Sequence, residues 1–181
     1  MKVLLFVVPI LLMPTAFAQE KKGDRVKMKE PKSVKSSTSP VTHAEAKAVF
    51  ERVWKTLGTS LKIKGPNPIV VPSDKNPVTK NEVLAAFKQI VSKVEPMFKR
   101  SASPVAFKPA NFRKDFDQAA YTRLVKDGFV MPVGPIVVGN NGPLTTFEFG
   151  DGIGVLLIKI ADLTHMPIRK FTPGLMGGKG A

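Results

Sequence analysis

Three threonine–glutamate pairs recur at one spacing: Thr42 with Glu45, Thr79 with Glu82, and Thr145 with Glu148. Carboxylates that cooperate in pairs would suit general acid–base chemistry such as glycoside hydrolysis. The flanking residues point elsewhere. Each pair lies in Pro-(Val/Leu)-Thr-x-x-Glu, at Pro40, Pro77 and Pro143, directly ahead of an apolar helical pattern. In that setting the Thr hydroxyl accepts a hydrogen bond from the amide three residues on, and the Glu carboxylate reaches back to the Thr amide. This capping box explains all six residues without catalysis, each cap contributing about 1 kcal/mol. The apolar residue before each Thr can staple onto the one after each Glu, pairing Val41 with Ala46, Val78 with Val83 and Leu144 with Phe149.

The remaining candidates for chemistry are cations. Lys80, in the first turn of a capped helix, could contact an anionic sugar, although a cation there opposes the helix dipole. His43 holds the same place in the first motif and titrates near neutral pH. For both, the competing reading is an ordinary solvent-facing residue. Lys99 and Arg100 belong to segment 96–114, which carries five cations and no acid. Its Phe98, Phe107 and Phe112 resemble the aromatic platforms of single-strand nucleic-acid binders. Trp54 shares an apolar stripe with Phe50 and Val53 and reads as core. The absence of Cys excludes disulfides, thiolate zinc sites and Cys nucleophiles, and two His residues are too few for a His-rich metal centre. No phosphate loop, nucleophile elbow or calcium loop is present. Neither an enzyme nor a bound metal or cofactor is expected.

Four helices must position these residues. The spacing predicts them at about 42–57, 79–95, 113–127 and 145–162. Gly150, Gly152 and Gly154 interrupt the last at a cost of about 1 kcal/mol each against Ala, and would let a neighbouring helix approach closely. A β-hairpin around Gly150-Asp151-Gly152 is the rival reading. An internal repeat favours helix. Pro68-Ile69-Val70-Val71 precedes Thr79, and Pro135-Ile136-Val137-Val138 precedes Thr145, at nearly equal distances. Leu57-Gly58 and Asp127-Gly128 close the helices upstream. The chain therefore reads as mainly α: a small bundle of two helix-loop-helix repeats, 40–95 and 115–163, with short extended segments that are either strands or loops. A basic linker, 96–114, joins them.

The chain of 181 residues has a net charge of +14, concentrated in leader 19–39, the linker and tail 164–181. Leader and tail have the composition of disordered segments. Lys2, an apolar run to Met13 and Ala16-Phe17-Ala18 make residues 1–18 a secretory signal. Export to the periplasm, cell envelope or exterior is thus expected. It argues against nucleic acid as the partner of the basic surface and in favour of envelope polyanions.

With export, the duplicated unit resembles an S-layer homology (SLH) domain. The resemblance is carried by Phe116 to Leu163. There Ala119-Ala120-Tyr121-Thr122-Arg123-Leu124-Val125-Lys126-Asp127-Gly128 is similar to the family's first helix and closing Gly. Gly142-Pro143-Leu144-Thr145-Thr146-Phe147-Glu148-Phe149 is similar to its Thr-Arg-Ala-Glu motif and helix start. Residues 42–94 form a weaker copy. The resemblance implies a non-catalytic module, a pseudo-symmetric helical bundle that attaches to anionic wall polysaccharide or surface-layer components through grooves between repeats. The glycan-binding Arg of the family motif is replaced here by His43, Lys80 and Thr146, of which only Lys80 is permanently charged. With only two repeats, partner subunits in a homo-oligomer would complete the bundle. The expected ligand-binding residues are Lys80, His43, Lys99 and Arg100. The alternative is a secreted or periplasmic basic helical protein that binds membrane or protein partners.

Overall fold

The computed structural model describes residues 37–106, 115 and 117–172. The signal segment, nearly all of the leader, Phe107, Phe112 and residues 173–181 of the tail lie outside the described residues. The chain divides into Met1–Val34 and Lys35–Ala181, and every described residue belongs to the second unit.

The fold is mainly helical. α1 spans His43–Leu61, α2 Lys80–Val94, α3 Gln118–Lys126 and α4 Thr146–Thr164, with 3-10 turns at Glu95–Met97 and Ile168–Lys170. α1, α2 and α4 each begin at a complete capping box. The Thr amides donate to the Glu carboxylates at 2.8, 2.7 and 2.9 Å, in chain order. All six staple residues are buried.

Several boundaries differ from the sequence expectation. α1 runs through Gly58 to Leu61 and stops only at Lys62, which is left-handed at φ 57°. An isolated helical Gly costs only about 1 kcal/mol, and Leu61, packed against the core, favours the extra turn. α3 starts at Gln118, five residues later than expected, because the Asp117 carboxylate caps it by accepting from the Ala120 amide. α4 is continuous through its three glycines, which rules out the hairpin. Only Gly152 is required by packing: a Cβ there would lie 2.3 Å from Ile136 Cδ1, whereas at Gly150 and Gly154 it would meet nothing within 4 Å. The closest approach is made by the second Pro-Ile-Val-Val segment, with Phe87 of α2 also in contact at 3.6 Å.

Neither Pro-Ile-Val-Val segment is a strand. The first is irregular and the second is a run of turns, in which the Val137 and Val138 amides donate to Gly134. The buried Tyr121 hydroxyl holds the second by donating to the Val137 carbonyl at 2.7 Å. One hydrophobic core receives residues from all four helices and both segments. Trp54 lies in it, as its periodicity implied. Phe50 stands edge-on to both Phe87 and Phe149, so α1, α2 and α4 meet through aromatic rings.

Candidate functional site

The three capping segments meet. Pro40 bridges Thr145, Thr42 bridges Pro77, and Thr79 bridges Pro143, each antiparallel. The Val41 amide donates to Leu144 at 2.9 Å, Leu144 to Val78 at 3.2 Å, and Val78 to Val41 at 2.8 Å. The last bond closes a ring on itself. Val41, Val78 and Leu144, which form it, are all buried. Three helix starts are thus tied around one pseudo-threefold axis, and a single chain completes the ring.

The same pattern saturates the helix starts. The first helical amides, of His43, Lys80 and Thr146, donate to Asn76, Gly142 and Ser39 carbonyls at 2.8, 3.2 and 2.9 Å. The second, of Ala44 and Phe147, donate to Asp74 and Ser37 carbonyls, and that of Asn81 to the Asn141 side chain. The third is taken by the Thr hydroxyl in each case. An anion that sought helix N-terminal amides would find these already engaged.

Two expected ligand residues are committed inside this frame. His43 is buried, not solvent-facing. Its Nδ1 lies 2.7 Å from Asp74 Oδ1 and its Nε2 3.1 Å from Glu82 Oε1, so it locks the start of α1 to that of α2. Burial by itself would lower the imidazole pKa, but hydrogen bonds and attraction from the two carboxylates outweigh it, and the net shift is upward. Asp74 is shifted downward by the Asn76 amide and by His43. For Glu82, burial pushes upward, yet the Thr79 hydrogen bonds and His43 carry it below its ordinary value. Lys80 is half-buried, and its ammonium donates to the Val138 carbonyl at 2.8 Å, which pins the second Pro-Ile-Val-Val segment to α2.

Lys99 and Arg100 lie together on the surface. The Lys99 amide donates to the Leu163 carbonyl at the end of α4, which fixes the linker there. With Glu95, Phe98, Arg123, Asp127 and Phe129 they line an open groove of about 490 Å³. Phe98, partly exposed, stacks on the buried Phe129 with ring centres 5.9 Å apart. Arg100 pairs with Asp162, and Arg123 with Glu95 and Asp127. These pairs are exposed, and such contacts contribute about 0–1 kcal/mol.

Sequence reasoning missed Arg123 and Phe129 as neighbours of the linker cations, and Asp74 as the partner of His43. Arg123 stood out only as part of the stretch Ala119 to Gly128 that resembles the SLH first helix. Nothing in the Ser73-Asp74-Lys75-Asn76 turn pointed to a histidine 31 positions away. Among the described residues no cluster of three or more His, Cys, Asp or Glu could hold a metal ion, and no helix is long and apolar enough to cross a membrane. In comparison with known proteins, no family model, curated protein or solved structure matches the chain.

Proposed function

We propose that this protein is an exported, non-catalytic attachment module that associates with the cell envelope through anionic wall polysaccharide or surface-layer components. The ring of three Thr-x-x-Glu helix starts carries the reading. A pseudo-symmetric bundle is what the SLH resemblance implies, and the ring through Val41, Val78 and Leu144 supports that reading.

The proposal moves the ligand-binding role from the motif positions to the linker. His43 and Lys80 act in this reading as internal ties. The polymer is held in the groove, with Lys99, Arg100 and Arg123 facing its acidic groups and the partly exposed Phe98 beside its sugar rings. A polyanion bound this way is held mainly by charge, so its affinity falls with ionic strength.

Sedimentation with purified wall sacculi tests the idea. The wild-type protein should co-sediment at low salt and be released by 0.5 M NaCl, a concentration on the order at which the Debye length shrinks to a few ångströms. Replacing both Lys99 and Arg100 with Ala should reduce retention at low salt about tenfold without altering thermal stability. Retention indifferent to salt and to the double substitution would instead favour the second reading, attachment to a protein or membrane partner. That alternative draws on Val70, within the first Pro-Ile-Val-Val segment, and Val133, just ahead of the second, exposed to 89% and 74%.

A further inference from the structure

A second basic depression lies along the outer side of α1, and it shares no residue with the linker groove. It is open, about 340 Å³ in volume, and is lined by Arg52, Lys55, Thr56, Thr59, Ser60 and Lys170. Five of these come from two turns of one helix face, since positions 52, 55, 56, 59 and 60 follow helical spacing. The sixth is brought in by the 3-10 turn at Ile168–Lys170. The Ser60 hydroxyl donates to the Lys170 carbonyl at 3.1 Å, and the next residue, Phe171, is fully buried. The tail is thereby anchored with a cation beside α1.

Two observations point to a ligand. Three cations and three hydroxyl side chains line the depression, and no carboxylate does; none of the three cations forms an ion pair with a described residue. Arg52 Nε is also sealed from solvent without any hydrogen-bond partner. A buried donor left unpaired is costly, and a turn of the Arg52 side chain that brought Nε to an acceptor in the depression would remove the cost.

We infer that Arg52, Lys55 and Lys170 form a binding site for a phosphate ester. A planar carboxylate needs only the fork of one guanidinium. The Lys55 and Lys170 ammonium groups, which line the same depression as that guanidinium, instead suit a tetrahedral oxyanion with more charge and more acceptor oxygens; the Thr59 and Ser60 hydroxyls already donate to the Lys55 and Lys170 carbonyls. The volume exceeds that of the oxyanion alone, which leaves room for an esterified group. The inference is independent of the envelope reading and can stand if wall binding fails.

Titration of the purified protein with inorganic phosphate at constant ionic strength tests it, followed by NMR at the Arg52 Nε–H and the amides of residues 55–60. A saturable shift is expected at both. Arg52→Gln should weaken binding at least tenfold. So should Lys170→Ala, at an exposed position whose loss leaves the fold intact. Acetate should bind at least tenfold more weakly than phosphate. Glycerol phosphate and phosphatidylglycerol vesicles then separate the sources. Saturation by the soluble ester identifies a free or polymer-linked phosphate, saturation by vesicles alone identifies a lipid headgroup, and either supports the site. Linear shifts of equal slope with phosphate, acetate and chloride would overturn it, as would unchanged phosphate affinity in Lys170→Ala.

Discussion

The protonation state of His43 is dictated by its neighbours. Both ring nitrogens face carboxylate oxygens, which only accept hydrogen bonds. The two contacts can be hydrogen bonds together only if the ring carries both protons and a positive charge. In a neutral ring one bare nitrogen would oppose a carboxylate. The folded-state pKa is raised above the ordinary 6.5, so the stabilisation is fully present below that value and is lost as pH rises through the higher folded value. Asp74 and Glu82 are shifted downward from 3.8 and 4.5; their contributions are present above those values and are lost as pH falls through the lower folded ones. Stability should therefore peak between about pH 5 and the unperturbed histidine pKa near 6.5. The melting temperature should decline from pH 6 to pH 9 in the wild-type protein. His43→Ala should melt lower at pH 6, and its decline over that range should be markedly shallower. Parallel pH profiles for the two proteins would show that His43 is not charged in the fold.

The capping boxes and the apolar stripes were legible in the sequence because their physics is local. A hydroxyl and a carboxylate three positions apart find one helical turn wherever it sits, and all three boxes form as spelled. Helix ends were less legible. Gly58 was read as a stop, but tertiary packing of Leu61 decided that end, and Asp117 shortened α3 by a cap that the apolar pattern does not encode. The glycines of α4 were legible as a cost but not as a reason, since the reason is the distant side chain of Ile136. They now separate into two kinds. Gly150→Ala and Gly154→Ala place a methyl in open space and should each stabilise the protein by about 0.5–1 kcal/mol through helix propensity. Gly152→Ala must displace Ile136 in a closed core and should destabilise it by about 1–3 kcal/mol. Urea denaturation of the three variants checks the contrast. Equal effects at all three positions would mean that Gly152 is not held against Ile136.

At the scale of the whole molecule, the three Pro-(Val/Leu)-Thr entries were legible in the sequence, but their closure into one ring was not. The bonds joining these entries connect positions 37, 66 and 103 residues apart (Val41 to Val78, Val78 to Leu144, Leu144 to Val41), which no local pattern can reveal. The same distance hid the pairing of His43 with Asp74 and the grouping of Lys99 with Arg123. Closure has an energetic consequence. Each of Val41, Val78 and Leu144 donates to one neighbour and accepts from the other, so opening any link exposes a buried donor and a buried acceptor on two different segments. The ring should accordingly break as a unit with the core around it. In native-state hydrogen exchange, the amides of these three residues should open only through global unfolding, with one shared free energy. Leu144→Ala, which leaves the backbone bonds in place but removes a fully buried side chain, should lower that free energy by about 2–4 kcal/mol. It should do so equally at all three amides. Loss of protection confined to Leu144, with Val41 and Val78 still at the wild-type value, would mean that the three entries fold as separate parts joined only by contact.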